Sequence, residues 1–415
     1  MSLARAAPRA LPVLLTLLLV ALTVSITAVG VVTALLVVGT LVSALDPAWR
    51  ARARLPLAAP ILTFAGLTVL SALLVPRPLA ALGQARDLVV LALFLIAVNG
   101  FRGLPDVRRA LSVFFGAVSV VSLYALIQTW ACSTSVALPP WAAWALRVKL
   151  EACRAQAPFR AKGFFSIYMT LGGSLLLSLS LLAAGLILDP RGRTPGRLVA
   201  SVLGFVVLGL TYVRNAWLGL AIAVGVLVAL TRRVAVLLPI VLAVAVILAV
   251  PSAFQVKLLT AFDLGHASAS ERLYFWDAGL RMVADAPVLG HGPGAVKRLY
   301  PAYKHPDAVR PRTGHLHNNL IQIAVERGLL GLTAWIWIWV AFFLEASRVY
   351  RGPARAGGET RALVAGSLAA VAGFLAAGLF EYNFGDSEVV ELLAVVMALP
   401  FVVARDDEGG TVEPD

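Results

Sequence analysis

The stretch Leu198–Thr231, LVASVLGFVVLGLTYVRNAWLGLAIAVGVLVALT, decides how the chain is read. It is apolar almost throughout, and its one charge, Arg214, stands near its middle. About 20 apolar residues of helix cross a bilayer's hydrocarbon core. The stretch is therefore too long for one span, and reads as two, near 198–213 and 215–231, folded back on each other at the arginine. A charge at such a place is expensive in lipid and is a functional candidate by default. The plainer reading is that Arg214 marks a tight turn between two spans.

Similar apolar runs lie on both sides of this pair. They predict spans near 11–26, 29–45, 56–75, 87–100, 110–130, 163–188, 233–250, 317–344, 362–381 and 388–404, which brings the expected total to about 12 transmembrane helices. The composition agrees: 60% of the 415 residues are hydrophobic and only 14% are charged, where soluble domains run at about 25% charged. The fold class expected is an all-α polytopic membrane protein. The first run, Leu11 to Leu45, is too long for a signal peptide and lacks a clear small-residue cleavage site, so it reads as a retained helix pair.

Charge gives the expected orientation. With a cytoplasmic N-terminus, every inner loop is basic: Arg50, Arg52 and Arg54; Arg102, Arg108 and Arg109; Arg191, Arg193 and Arg197; Arg232 and Arg233; Arg348, Arg351, Arg355 and Arg361. That is the positive-inside pattern, and it puts both termini inside. The organisation expected is spans 1–9 over residues 1–250 with a smaller outer loop at 131–162, a large outer loop at 251–316, spans 10–12 over 317–404, and a cytoplasmic tail at 405–415.

The net charge of +13 is only partly spent on anchoring. The rest collects in the two outer loops, at Arg147, Lys149, Arg154, Arg160 and Lys162 and again at Lys257, Arg272, Arg281, Lys297, Arg298, Lys304, Arg310 and Arg312. Such charge calls for an anionic partner. Nucleic acid is a poor candidate, because the excess is scattered over loops between spans and no nucleic-acid motif accompanies it. The two cysteines, Cys132 and Cys153, share the first outer loop and suit either a disulfide or two free thiols.

Within the large loop, Ser270 is expected to cap a helix starting at Glu271, with Leu273, Trp276, Leu280 and Val283 as an apolar stripe lying on the membrane surface. Pro287 ends it, and Gly290, Gly292, Pro293 and Gly294 make a turn. All five histidines, His266, His291, His305, His315 and His317, lie in or at the end of this loop. The sharpest pattern is Gly314-His315-Leu316-His317-Asn318-Asn319, followed by Gln322, Glu326, Gly328 and Gly331. A neutral imidazole at a water–lipid boundary is a reasonable general base. The residues alone leave open whether His315 or His317 takes that role, and Asn318 is a secondary candidate. Arg272 offers a planar fork to phosphate oxygens, and Arg86 is a further possible anion contact, although a local pair with Asp87 is the simpler reading. No Walker-type loop, nucleophile elbow, outer carboxylate pair or third metal ligand in register is seen, so no metal and no cofactor are expected.

Taken together, the turn Arg214-Asn215-Ala216-Trp217, the loop elements Glu271-Arg272 to Trp276 and Gly290-His291-Gly292-Pro293-Gly294, and His317-Asn318 followed by Gly328-Leu329-Leu330-Gly331 resemble the O-antigen ligase and O-antigen polymerase-like superfamily. The resemblance implies a GT-C-like membrane glycosyltransferase with its site on the periplasmic side of the bacterial inner membrane. It implies a glycan donor on undecaprenyl diphosphate and, in the ligases, a sugar hydroxyl of lipid A–core as acceptor. Carried over, Arg214 and Arg272 bind the donor diphosphate and His317 activates the acceptor hydroxyl. The other readings are a polymerase or protein O-oligosaccharyltransferase of the same superfamily and, outside enzymes, a lipid-linked sugar flippase.

Overall fold

The computed structural model describes residues 3–85, 87–134, 139–147, 153, 159–234, 267–352 and 357–409. Among them the chain is helical, in the order α1 (Leu3–Val24), α2 (Ile26–Ser43), α3 (Pro47–Arg52), α4 (Ala58–Leu73), α5 (Pro78–Leu82), α6 (Asp87–Gly100), α7 (Leu104–Ser133), α8 (Pro140–Ala145), α9 (Tyr168–Leu188), α10 (Pro195–Leu210), α11 (Arg214–Thr231), α12 (Ala267–Asp285), α13 (Ala295–Tyr303), α14 (Asn319–Arg351), α15 (Gly358–Ala377) and α16 (Ser387–Gly409).

Eight of these, α1, α2, α7, α9, α11, α14, α15 and α16, are long and apolar enough to cross a membrane, and α4, α6 and α10 are shorter apolar helices. Each of the eleven coincides with an expected span. The twelfth, 233–250, falls almost wholly outside the described residues. The three short helices are well below the usual length of a span: α6 has only 14 residues, about 21 Å of helix at 1.5 Å per residue.

The loops sort to two ends. At one end Arg108 pairs with Glu359 (2.5 Å), Arg233 donates to the carbonyl of Ile187 (2.7 Å), and Arg54 and Asn99 exchange hydrogen bonds. These are the basic loops expected inside. The segments expected outside gather at the other end: Gln128 donates to the carbonyl of Gly163 (3.0 Å), Ala161 N–H to that of Leu210 (2.9 Å), and Thr170 to Asp386 (2.6 Å). There too, Cys132 at the end of α7 is joined by a disulfide to Cys153.

Small residues let the central helices close up. A Cβ on Gly219 of α11 would lie 2.6 Å from the carbonyl oxygen of Gly373 in α15, the close backbone approach that packs helices where lipid offers no hydrophobic drive. A different glycine breaks α14. Gly328 has φ 67 and ψ −176, conformations open only to glycine. The break frees backbone groups, and the turn after α12 takes them. His291 and Gly292 donate N–H to the carbonyls of Val325 (2.8 Å) and Glu326 (2.9 Å), while Leu329 N–H donates to Pro287 O (2.7 Å).

Below this clamp Arg327, 1% exposed, donates to Asp87 of α6 (2.7 Å), to Glu326 (2.8 Å) and to Thr68 of α4 (3.1 Å). Asp87 is held by Arg327; Arg86, expected as a local partner of Asp87 or a further anion contact, lies outside the described residues. The expected surface helix also shifts. It begins at or before Ala267, so Ser270 lies inside it and is not its cap. Its packed face is Phe275, Ala278 and Met282, whereas Leu273 and Leu280 of the expected stripe are 49% and 60% exposed. A helix whose outward face is apolar suits a membrane surface.

Replacing Gly328 by alanine would drive a Cβ into the carbonyl oxygen of Val288. Strain of that backbone kind costs about 1–3 kcal/mol before the clash is counted. The expected outcome for Gly328→Ala is a clear drop in thermal midpoint of the detergent-solubilised protein, larger than for Gly30→Ala, where the space around the glycine is open.

Candidate active site

The segment leading into α14 is built by local polar chemistry. Asn318 is the N-cap, its side chain accepting from Ile321 N–H (3.0 Å) and donating to the carbonyl of Leu379 (2.9 Å). Asn319 N–H donates to Gly378 O (2.8 Å), and its amide donates to Asn383 (2.7 Å). Gln322 accepts from Leu316 N–H (3.0 Å) and donates to Glu326 (2.7 Å). The cap therefore does two jobs: it starts the helix, and it stitches on the turn 378–386 between α15 and α16.

That turn brings Glu381 to His317. His317 Nδ1 lies 2.8 and 2.9 Å from the two carboxylate oxygens. The ring is nearly buried and stacks on Phe275 of α12, centroids 5.5 Å apart. A carboxylate can only accept, so Nδ1 carries a proton, and in the neutral ring the lone pair is left on Nε2. His317 also holds φ 51, left-handed for a non-glycine residue, a strain of the kind that persists where surrounding contacts over-determine the backbone. Two further groups face the same carboxylate: the Arg272 guanidinium at 3.9 Å and the Nδ1 of His315 at 3.5 Å.

The charges settle unequally. His315 is about a third exposed, yet its Nδ1 is enclosed without a hydrogen-bond partner. Burial first, then the positive charge of His317, pushes it down to about 4, against the pull of Glu381. For Glu381 burial works upward, but the hydrogen bond and charge of His317, then His315 and Arg272, outweigh it and hold the carboxyl below its usual range.

Of the residues singled out from sequence, Arg272, His315, His317 and Asn318 come together here. Arg214 opens α11 at the same end of the bundle, directly after Val213, which packs on Gly172 of α9, and two residues after Tyr212 with its left-handed φ of 54. The histidines do not form one cluster. His291 bonds the Met282 carbonyl (2.8 Å), His305 stacks on Tyr274 (4.5 Å), and His266 lies outside the described residues. Glu381 was missed. A carboxylate in a short turn between two long apolar helices is itself a signal, since charge near lipid is costly.

His315, His317 and Glu381 place one ligand atom each within 4.8 Å of one another, supplying the third metal-type ligand not apparent from spacing. The fit to a cation is poor. His317 Nδ1 already hydrogen-bonds Glu381, and the Arg272 guanidinium stands against the same carboxylate. The arrangement serves better as a histidine–carboxylate pair flanked by an arginine.

Comparison with known proteins agrees with the resemblance drawn from the motifs. Residues 199–336 match the family model described as O-antigen ligase. Over 234 residues the chain is 25% identical to a Rickettsia conorii protein provisionally named a polysaccharide ligase, covering 54% of each chain. The match thus spans about half of that relative's length. The family match contains Arg214, Arg272, His315 and His317 and ends before Glu381.

The titrations carry a stability signature. His315 refuses a proton in the folded state until about pH 4 but accepts one near 6.5 when unfolded. Its contribution is present above pH 6.5 and is lost as pH falls from there toward 4. Glu381, with its folded pKa depressed, adds a second loss below its unfolded value of 4.5. Thermal midpoints measured against pH should therefore fall from pH 6.5 downward, with a shallower upper limb in His315→Gln and a shallower lower limb in Glu381→Gln.

Proposed function

We propose that this chain, with its O-antigen ligase match, is an inverting glycosyltransferase. It moves a glycan from undecaprenyl diphosphate to a sugar hydroxyl of lipid A–core, at the outer face of the bacterial inner membrane. The observation that carries the reading is the His317–Glu381 pair, a buried base oriented by a carboxylate, with Arg272 at its edge.

A diphosphate is already a good leaving group, so the protein's task is to hold it and neutralise its growing charge. Arg214 and Arg272 take that role, through charge-assisted hydrogen bonds. Arg214 stands at the first turn of α11, where the helix dipole also favours an anion. The acceptor hydroxyl is a poor nucleophile. His317 Nε2 takes its proton as the oxygen attacks the anomeric carbon from the face opposite the diphosphate, and the imidazolium so formed is stabilised by Glu381. His317, rather than His315, is the base, because its ring is held by Phe275 and by the Glu381 carboxylate. Direct displacement inverts the anomeric centre. No step requires a metal or cofactor.

A polymerase, or a protein O-oligosaccharyltransferase, would use the same diphosphate site with a different acceptor. A flippase would need charges at mid-depth with access from both faces; the groups assembled here stand at one end of the bundle.

Two measurements test the proposal. In a strain lacking its own ligase, the wild-type gene should restore O-antigen on lipid A–core. His317→Ala and Arg214→Ala should fail to do so at equal expression, and in vitro the His317 variant should lose about 10²–10⁴ in rate. Glu381→Gln should be impaired with its acceptor KM little changed. Restoration only in a polymerase-deficient strain would favour the polymerase. Separately, purified enzyme dialysed against EDTA should keep its full rate; loss restored by added zinc would turn His315, His317 and Glu381 into a metal site and overturn the base assignment.

A further inference from the structure

We infer that α8, the short helix Pro140–Ala145, is an interfacial anchor. It lies in the membrane leaflet on the side of the candidate site, with Trp141, Trp144 and Ala145 turned to lipid where hydrocarbon meets headgroups. The inference does not depend on the transferase reading.

Its depth is set by α7. Arg109 is the last charged residue of that helix, and from there to Gln128 the helix rises about 28 Å at 1.5 Å per residue. The hydrocarbon core of a bilayer is about 30 Å thick, so Gln128 reaches its far edge. Along the way Val113, Val120, Leu123, Ile127 and Trp130 are exposed, the stripe that such a helix turns to lipid. α8 hangs from α7 at this level. The Tyr124 hydroxyl donates to the carbonyl of Ala145 (2.9 Å), and the Gln128 amide to that of Leu146 (2.8 Å). Leu146 also packs on the Cys132–Cys153 disulfide.

The helix suits a place with little water, where unpaired backbone groups are costly. Pro139 and Pro140 have no N–H, and the carbonyl of Pro139 accepts from Ala142 (3.0 Å) and Ala143 (3.2 Å). At the other end Leu146 N–H donates to Ala142 O and Arg147 N–H to Trp144 O, both at 2.9 Å, while the two α7 side chains take the next two carbonyls. No side chain from Pro139 to Leu146 is charged. Residues three and four apart share a helix face, and on the face of positions 141, 144 and 145 Trp141 is 72% and Trp144 82% exposed. Ala142 and Ala143 are half-buried. An indole, apolar but for one N–H, gathers at the boundary of hydrocarbon and headgroups. A sugar site would set polar groups around such rings to fix its hydroxyls, whereas α8 itself offers only proline and alanine beside them. Further along the same loop, Ala161 N–H donates to Leu210 O (2.9 Å), just ahead of the turn that leads to Arg214. The anchor thus fixes the depth of a loop that braces this turn.

Collision of a nitroxide with oxygen, which concentrates in hydrocarbon, and with a water-soluble nickel chelate reads the depth directly. The full-length protein is labelled at Ala145→Cys and placed in phospholipid nanodiscs. Both native cysteines are in the disulfide, so the introduced thiol alone takes the label. Leu123→Cys on the lipid face of α7 and Val309→Cys, 84% exposed in the loop before α14, give the lipid and water ends of the scale. The label at 145 should favour oxygen over nickel, close to the Leu123 value. Adding Trp141→Ala and Trp144→Ala together should shift it toward the Val309 value, with the Leu123 label unchanged in the same background, and Trp141→Phe with Trp144→Phe should shift it less. A label at 145 as open to nickel as that at Val309 overturns the inference. Shielding from nickel only when free O-polysaccharide is added also overturns it, and makes the tryptophans a glycan-binding face. An unchanged depth without both indoles overturns the role given to them.

Discussion

At Gly328 the helix that begins beside His317 stops being a helix for one residue, and the backbone groups released there are what hold the site together. An unbroken α14 would use the carbonyls of Val325 and Glu326 within itself. Here they accept from His291 and Gly292, and Leu329 N–H turns to Pro287. Buried backbone groups need partners, and this exchange supplies them on both sides at once. Gly290 makes it possible from the other strand, since a Cβ there would lie 2.6 Å from the backbone of Arg327. The turn so clamped follows directly from α12, which carries Arg272, and the clamped helix starts at the cap that carries His317. The distance between the proposed diphosphate arginine and the proposed base is therefore set by two glycines remote from both.

The buried charges beneath the clamp serve the same end. Arg327 is paired with Asp87 and Glu326 in an almost fully enclosed setting. Such groups are costly to desolvate and are weak evidence for stability. Their geometric effect is definite: α14 is tied to α6 through Asp87 and to α4 through Thr68, while Ser71 of α4 donates to the carbonyls of both Leu289 and Glu326. The floor of the site is a set of directional contacts among four segments, in a region where lipid would otherwise leave helix register loosely specified.

Sequence alone was most informative where one residue's chemistry is local. Apolar runs placed eleven described helices, because hydropathy is read along a single segment. The glycine turn at 290–294 was equally visible, since left-handed backbone is decided within a few residues. What stayed hidden depends on pairing across the chain. Glu381 meets His317 across 64 residues, and Arg327 meets Asp87 across 240; no spacing rule reaches so far. The packed face of α12 went unread for a related reason, while Leu273 and Leu280 of the expected surface stripe are exposed. Both of its faces are apolar, one for α14 and one exposed, and periodicity cannot say which is which. The third ligand-type group beside the histidines escaped notice because it comes from a turn, not from the loop in which they cluster.

The two ends of the bundle differ in a way that supports the proposed orientation. The arginine-rich loops that hydrogen-bond one another, through Arg54, Arg108 and Arg233, share one end. The candidate site and the Cys132–Cys153 disulfide share the other. Basic loops favour the cytoplasmic side, and disulfides persist in oxidising compartments such as the periplasm. The two rules rest on different physics, one on translocation of charge and the other on redox poise, and here they point the same way. On the proposed reading, a site on that side meets lipid-linked glycans only after they have crossed the membrane, where no nucleotide is at hand to drive a transfer. Chemistry there has to draw its driving force from a leaving group carried in with the substrate, and an arginine beside a carboxylate-held histidine suits the proposed lipid diphosphate.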